Sequence, residues 1–179
     1  FTDTERNIKG NEFEREVVDY LLKHSSGLEE IFPPGKELKF GGKPRAQVDL
    51  SVGKHSICFL VECKSYSIST KLFEGRRQDL HNRWNTILEW VEKCDKRAIF
   101  LAENPIGNNY GLAPRYSHVV PVICTSHPEF LSSLSEHLLL DESTPRVCSP
   151  YELRRFLGSF NKADLVSRPY ARKVVHFET

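Results

Sequence analysis

The amino-acid sequence predicts an α/β protein, a mixed β-sheet flanked by helices, with an α-β-β-β-α-β core. Three observations predict it. Near the start, Phe13, Val17, Val18, Leu21 and Leu22 form one apolar helical stripe. Three strand-like segments, 36–40, 45–52 and 56–65, then follow, divided by glycine-containing turns. A long amphipathic segment comes next and leads into further apolar runs, the succession expected of a sheet with helices on its faces.

The first helix runs from a cap at Thr4 to a stop at Gly27. The IFPPG segment is a turn punctuated by Pro33, Pro34 and Gly35. KELKF (36–40), RAQVDLSV (45–52) and SICFLVECKS (56–65) are strands, the last two joined by a loop around Gly53 and Lys54. A helix covers about 71–93, with Leu80, Trp84, Ile87, Leu88 and Val91 on its inner face. RAIFLAEN (97–104) is predicted as a buried strand, and 104–117 as a loop rich in Pro, Gly and Asn, of a length often tied to function. HVVPVICT (118–125) is a strand whose Pro121 argues for an edge position or a bulge. A helix over 127–139 and a short extended piece over 145–149 come next. Ser149, Pro150 and Glu152 then open a helix through a capping box, with Gly158 as its stop. The remaining residues form an extension or a late strand. Residues 1–125 are thus one core, and 126–179 a C-terminal helical extension of the same domain.

Composition bounds the function classes. The 179 residues are 39% hydrophobic and 27% charged, with a net charge of +1, as in an ordinary globular protein. Charge is unevenly spread: the first 35 residues net −4, residues 36–97 net +5, and the rest are neutral. The basic excess in the middle gives modest support for a polyanionic partner. Five cysteines (Cys58, Cys63, Cys94, Cys124, Cys148) lack zinc-site spacing and read as buried thiols of a reducing, cytoplasmic setting. No apolar run is long enough for a membrane span. The chain starts at Phe1 and has no Met, so a piece of a longer protein, or a trimmed one, is expected.

The chemistry concentrates in VDLSVGKHSICFLVECKSY (48–66). Charges seldom sit in a core unless they are paired or bind metal. Strand alternation puts Glu62 and Lys64 on one face of their strand. A hairpin loop of even length, two residues at Gly53-Lys54 or four from Gly53 to Ser56, adds Asp49 to that face; a three-residue loop removes it. Stepping about 100° per residue along the first helix sets Glu14 near the middle of the apolar stripe, with Glu12 and Glu16 on the solvated side. Converging carboxylates repel unless a cation sits among them. Hard oxygen ligands select Mg²⁺ or a similar ion, which suits phosphodiester hydrolysis. The competing reading is a buried ion pair with Lys64 and a Glu14 that reaches out to solvent.

Glu14 in KGNEFERE, Asp49 in QVDL and Glu62-x-Lys64 in VECKS resemble the PD-(D/E)xK nuclease superfamily, with its restriction-endonuclease-like fold. Gly10 ahead of FER is similar to the Holliday-junction-resolvase and Mrr-like branches. Val48 stands where the motif name has Pro. The resemblance covers about residues 4–125. It implies a metal-dependent endodeoxyribonuclease in which Asp49, Glu62 and the backbone carbonyl of Cys63 bind Mg²⁺, with Mn²⁺ as a substitute. Lys64 would assist the attacking water, and Glu14 would hold a metal-bound water or a second ion. Gln78 would lie near the site, and Arg76, Arg77 and Arg83 would contact DNA phosphates. A homodimer is a further expectation, since cutting both strands depends on one. The alternative is a non-catalytic nucleic-acid-binding or assembly module that keeps the fold.

Overall fold

Apolar side chains spaced three and four apart turn the N-terminal stretch into helix α1 (Asp3–His24), which buries Val17, Val18 and Leu21. Strands β1 (Glu29–Phe32), β2 (Lys36–Phe40), β3 (Lys43–Val48), β4 (Leu50–Lys54) and β5 (Ile57–Lys64) follow. Next come a short helix α2 (Thr70–Phe73), the long helix α3 (Arg77–Glu103) and strand β6 (His118–Thr125). The last part holds a 3₁₀ turn (Glu136–Leu138), β7 (Val147–Cys148), α4 (Pro150–Ser159), α5 (Lys162–Val166) and β8 (Arg172–Lys173). This computed structural model describes residues 3–66, 70–129 and 135–176. Among them, no helix is long and apolar enough to cross a membrane.

The main sheet is mixed and runs β1-β4-β5-β6-β7, with β8 also on β6. Strands β1, β4 and β5 form an antiparallel meander; β5, β6 and β7 are parallel. Helix α3 makes the crossover from β5 to β6 that a parallel pair requires. Leu50, Val52, Phe59, Val61, Val120 and Val122 pack on one face against α1 and α4. Cys58, Leu60, Val119 and Ile123 pack on the other against Ile87, Val91, Cys94, Ala98 and Leu101 of α3. All five cysteines are buried free thiols.

Several elements differ from the sequence expectations. The first strand of the sheet is Glu29–Phe32, partly within the segment read as a turn; Ser51 Oγ accepts the Phe32 amide there at 2.9 Å, where the β1–β4 register slips. RAQVDLSV is not one strand. It breaks at Asp49 into β3, which pairs with β2 in a separate two-stranded sheet, and β4, which joins the main one. RAIFLAEN is helix rather than strand. Ala98, Leu101 and Ala102 continue the three-and-four spacing of Ile87, Val91 and Cys94, and no breaker intervenes before Pro105. That longer stripe rotates the buried face, leaving Leu80 49% and Leu88 39% exposed. The helix expected over 127–139 is represented, among the described residues, only by the 3₁₀ turn; 130–134 lie outside them. The capping box at Ser149 and Glu152 is present, but α4 passes Gly158 and ends at Ser159. Residues after 125 also add β7 and β8 to the sheet, so they are more than a helical extension.

Pro121 lies inside the sheet rather than at an edge. On the far side of β6, β8 pairs at His118 and Val119 and β7 at Ile123 and Cys124, and Pro121 falls between them. A strand residue points its N–H and C=O to the same side. The Pro121 carbonyl accepts from Arg146 Nε at 3.2 Å, so the missing N–H faces that gap and costs no ladder bond. Arg146 is 1% exposed; it also donates to the His137 carbonyl (2.8 Å), pairs with Asp95 of α3 and stacks on Tyr170 at 4.0 Å. Arg146→Ala should therefore destabilise the protein by about 3–5 kcal/mol, because Asp95 and two carbonyls lose their donor in a closed core. Denaturant unfolding checks this; a loss below about 1 kcal/mol would contradict the role, since that is the range of exposed pairs.

Candidate active site

The β4–β5 hairpin decides whether the acids converge. Its register pairs Leu50 with Val61 and Lys54 with Ile57, leaving a two-residue loop at His55 and Ser56. Both have positive φ (51° and 60°), as a tight hairpin turn of this twist demands. The loop is even but sits two residues later than Gly53-Lys54. Gly53 is instead a β4 residue lying under Tyr116; a Cβ there would come within 2.7 Å of the Tyr116 ring. The register extrapolates Asp49 to a position opposite Glu62, on the same face.

Asp49 is fixed twice. Its carbonyl accepts the Gly35 amide (3.2 Å), and its Oδ2 accepts the Cys63 amide (2.9 Å). Cys63 thus meets Asp49 through its backbone N–H. Lys64 Nζ donates to Glu62 Oε1 at 2.6 Å and lies 3.9 Å from Asp49 Oδ2. Two carboxylates therefore reach one ammonium. The second oxygen of Glu62 is taken by Arg97 of α3.

Glu14, from the opposite face of the sheet, also feels this group. Its carboxyl is raised to about 7, first by desolvation, then by the negative charge of Asp49, with Lys64 opposing. Among the described residues it has no hydrogen-bond partner. The structure therefore brings Glu14, Asp49, Glu62 and Lys64 into one electrostatic neighbourhood. Asp49 Oδ1 and Glu14 offer free hard oxygens of the kind Mg²⁺ takes. Among the described residues, however, no three acidic, thiol or imidazole side chains are already gathered into an ion cage.

The basic residues of α3 separate into different environments. Arg76 is exposed and pairs with Glu74 at 2.9 Å; Arg77 is exposed; Gln78 is exposed and donates to Asn82 at 2.9 Å. Arg83 is enclosed. Its guanidinium lies 3.7 Å from the Tyr66 ring centre and 4.6 Å from that of Trp90, and it pairs with Glu129, which also accepts from the Tyr66 hydroxyl. Arg83 thus ties the segments following β5 and β6 to α3. The sequence reading missed Arg97, because it placed 97–104 in a strand. The signal was the apolar spacing through Cys94, Ala98 and Leu101, which keeps Arg97 helical beside the buried stripe.

The 104–117 loop is a brace. Asn109 accepts the Lys39 amide (2.8 Å) and donates to the Glu37 carbonyl (2.8 Å), and Asn108 Oδ1 accepts the Gly42 amide (2.9 Å). It clamps the β2–β3 hairpin with side-chain amides that fit strand backbone.

No family model, curated protein or solved structure matches this chain.

The Glu14 carboxyl gives a pH test. Folding raises its pKa, so the folded state holds more protons than the unfolded state between about 4.5 and about 7. Stability from this group falls as pH rises through that window. Glu14→Gln should match wild type near the acid end and be more stable above it, by about 1 kcal/mol once solvent screening is allowed for. Thermal melts across pH check this; equal stability at all pH values would contradict it. Arg83→Ala should cost about 2–3 kcal/mol in chemical denaturation, through loss of both ring contacts and of the cation that pairs with Glu129. An unchanged unfolding midpoint would refute the enclosed role.

Proposed function

We propose that this chain is a Mg²⁺-dependent endonuclease that hydrolyses DNA phosphodiester bonds on a restriction-endonuclease-like core. The observation that carries the reading is the shared ammonium: Lys64 lies within reach of both Asp49 and Glu62, while the Cys63 amide pins Asp49. Within the main sheet the succession α1, β1-β4-β5, α3, β6 has an α-β-β-β-α-β order, with the β2–β3 hairpin inserted and Glu29–Phe32 in place of 36–40 as its first strand, and this supports the reading.

Asp49 and Glu62 would hold the ion, with Glu14 beside them, and Mn²⁺ would substitute. The ion would supply positive charge at the phosphoryl oxygens and a more acidic bound water. Each protein group has its own task. Asp49, held at both its carbonyl and its carboxylate, cannot swing away. Lys64 orients water and offsets charge building on the attacked phosphate. Glu14 carries an elevated pKa because desolvation and Asp49 outweigh Lys64, and a cation would reverse that imbalance. Arg97 holds Glu62 against α3.

A second reading has one observation in its favour. Both oxygens of Glu62 are already neutralised, by Lys64 and Arg97, which suits a binding module that never loads an ion.

Cleavage of duplex, branched and single-stranded DNA separates the two. Cutting should require Mg²⁺ or Mn²⁺, stop in EDTA, and fall by about 10²–10³-fold or more in Asp49→Ala and Lys64→Ala. No cutting of any substrate with either ion, or cutting indifferent to Asp49→Ala, sinks the nuclease reading. Tight DNA binding unchanged by EDTA, without cutting, favours the binding module.

A further inference from the structure

Beside the acid site lies a cavity of about 300 Å³ lined by Arg45, Ala46, Lys96, Arg97 and Phe100. It lies between the β2–β3 hairpin and α3. Its lining contains three cations and no carboxylate. That balance is unusual in a chain whose net charge is only +1. The volume is at the small end of ligand-sized cavities.

Several features indicate that it is built rather than incidental. Leu38 pairs with Ala46 and Lys39 with Pro44, so Arg45 is the extra residue of a β-bulge. Consecutive strand residues normally face opposite ways. Here Arg45 and Ala46 both line the cavity, and re-aiming a side chain is what a bulge does. The hairpin is held at both ends of its reach: Phe40 meets Phe100 edge-on at 5.9 Å, and Asn108 and Asn109 clamp its backbone. Arg45 has no ion-pair partner among the described residues. Lys96 pairs with the exposed Glu92 on its own helix, at 2.6 Å. Arg97 is shared: it lines the cavity and reaches Glu62.

Convergent cations without acids, one arginine fork free and an aromatic wall alongside, suit a phosphate with an attached sugar or base. Because Arg97 belongs to both places, such a phosphate would lie next to Lys64 and Glu62. We propose that this cavity holds a backbone phosphate of the nucleic-acid strand neighbouring the bond to be cut. The proposal rests on the hydrolytic reading of the site, but it is tested apart from it.

The test measures binding in EDTA, where no cutting occurs. The probe is a fluorescein-labelled single-stranded or duplex DNA oligonucleotide, read by anisotropy over a salt series. Arg45→Ala/Lys96→Ala should weaken binding roughly tenfold or more and lower the salt slope by about one unit per cation removed. Lys23→Ala/Lys93→Ala removes the same charge from exposed positions outside the cavity lining and should leave binding near wild type. Melting curves establish that both variants are folded. Equal losses in the two variants, or none in the first, overturn the proposal. So does wild type that binds no strand at low salt, or binding abolished by equimolar inorganic phosphate or mononucleotide, which would mark a free-phosphate pocket. Cutting assays in Mg²⁺ are scored separately. A cutting wild type with binding indifferent to Arg45 and Lys96 removes the cavity and keeps the nuclease. Binding that depends on them without cutting does the reverse.

Discussion

Asp49 is the joint at which the chain leaves one sheet and enters another, and both of its ends are tied. Its carbonyl takes the Gly35 amide, closing the mouth of the β2–β3 hairpin, and its carboxylate takes the Cys63 amide near the end of β5. A hydrogen bond to a carboxylate is stronger than one between neutral groups. The joint therefore fixes the hairpin relative to β5, and with it the distance from Asp49 to Lys64. The hairpin in turn sets where Arg45 meets α3. Asp49 thus sets the hairpin from one side, while Asn108, Asn109 and the Phe40–Phe100 contact hold it from the other.

Around the joint, cations are sorted by burial. Arg146 and Arg83 are enclosed, and each satisfies carbonyls or a carboxylate and lies on a ring, so they hold the fold together. Arg97 is half-buried and faces the acid group, while Arg45 and Lys96 are open to solvent. A guanidinium deep in a core is costly unless all its donors are used, which explains why Arg146 reaches three separate segments. An open one is free to exchange water for phosphate. The same residue type is thus committed to the architecture where it is enclosed and keeps unused donors where it is open to water.

Much of the candidate site's geometry was legible before folding. Period two put Glu62 and Lys64 on one face, and period 3.6 put Glu14 within the buried stripe of α1. Both are short-range properties of the chain. The hairpin register was legible only as a parity. An even loop was enough to bring Asp49 to the right face, but the loop lies at His55 and Ser56, because Gly53 is needed beneath Tyr116. Strand identity was less legible. EEIF and RAIFLAEN are both short, and periodicity alone does not settle the state of so short a segment. RAIFLAEN was settled by its continuity with Cys94, and EEIF by a partner in β4.

The sequence by itself determined the α/β class, the amphipathic faces, the capping box at Ser149 and which four charged residues sit where charge is expensive. Those follow from local propensity and from the free energy of burying ions, neither of which needs a partner. Tertiary structure alone decided that β3 and β4 part at Asp49, that Pro121 lies harmlessly inside the sheet, and that Arg97 both reaches Glu62 and lines a cavity with Arg45. Each of these joins residues distant in the chain. Contacts of that kind are fixed by register, crossover and packing, which act between elements and leave no pattern within any one of them.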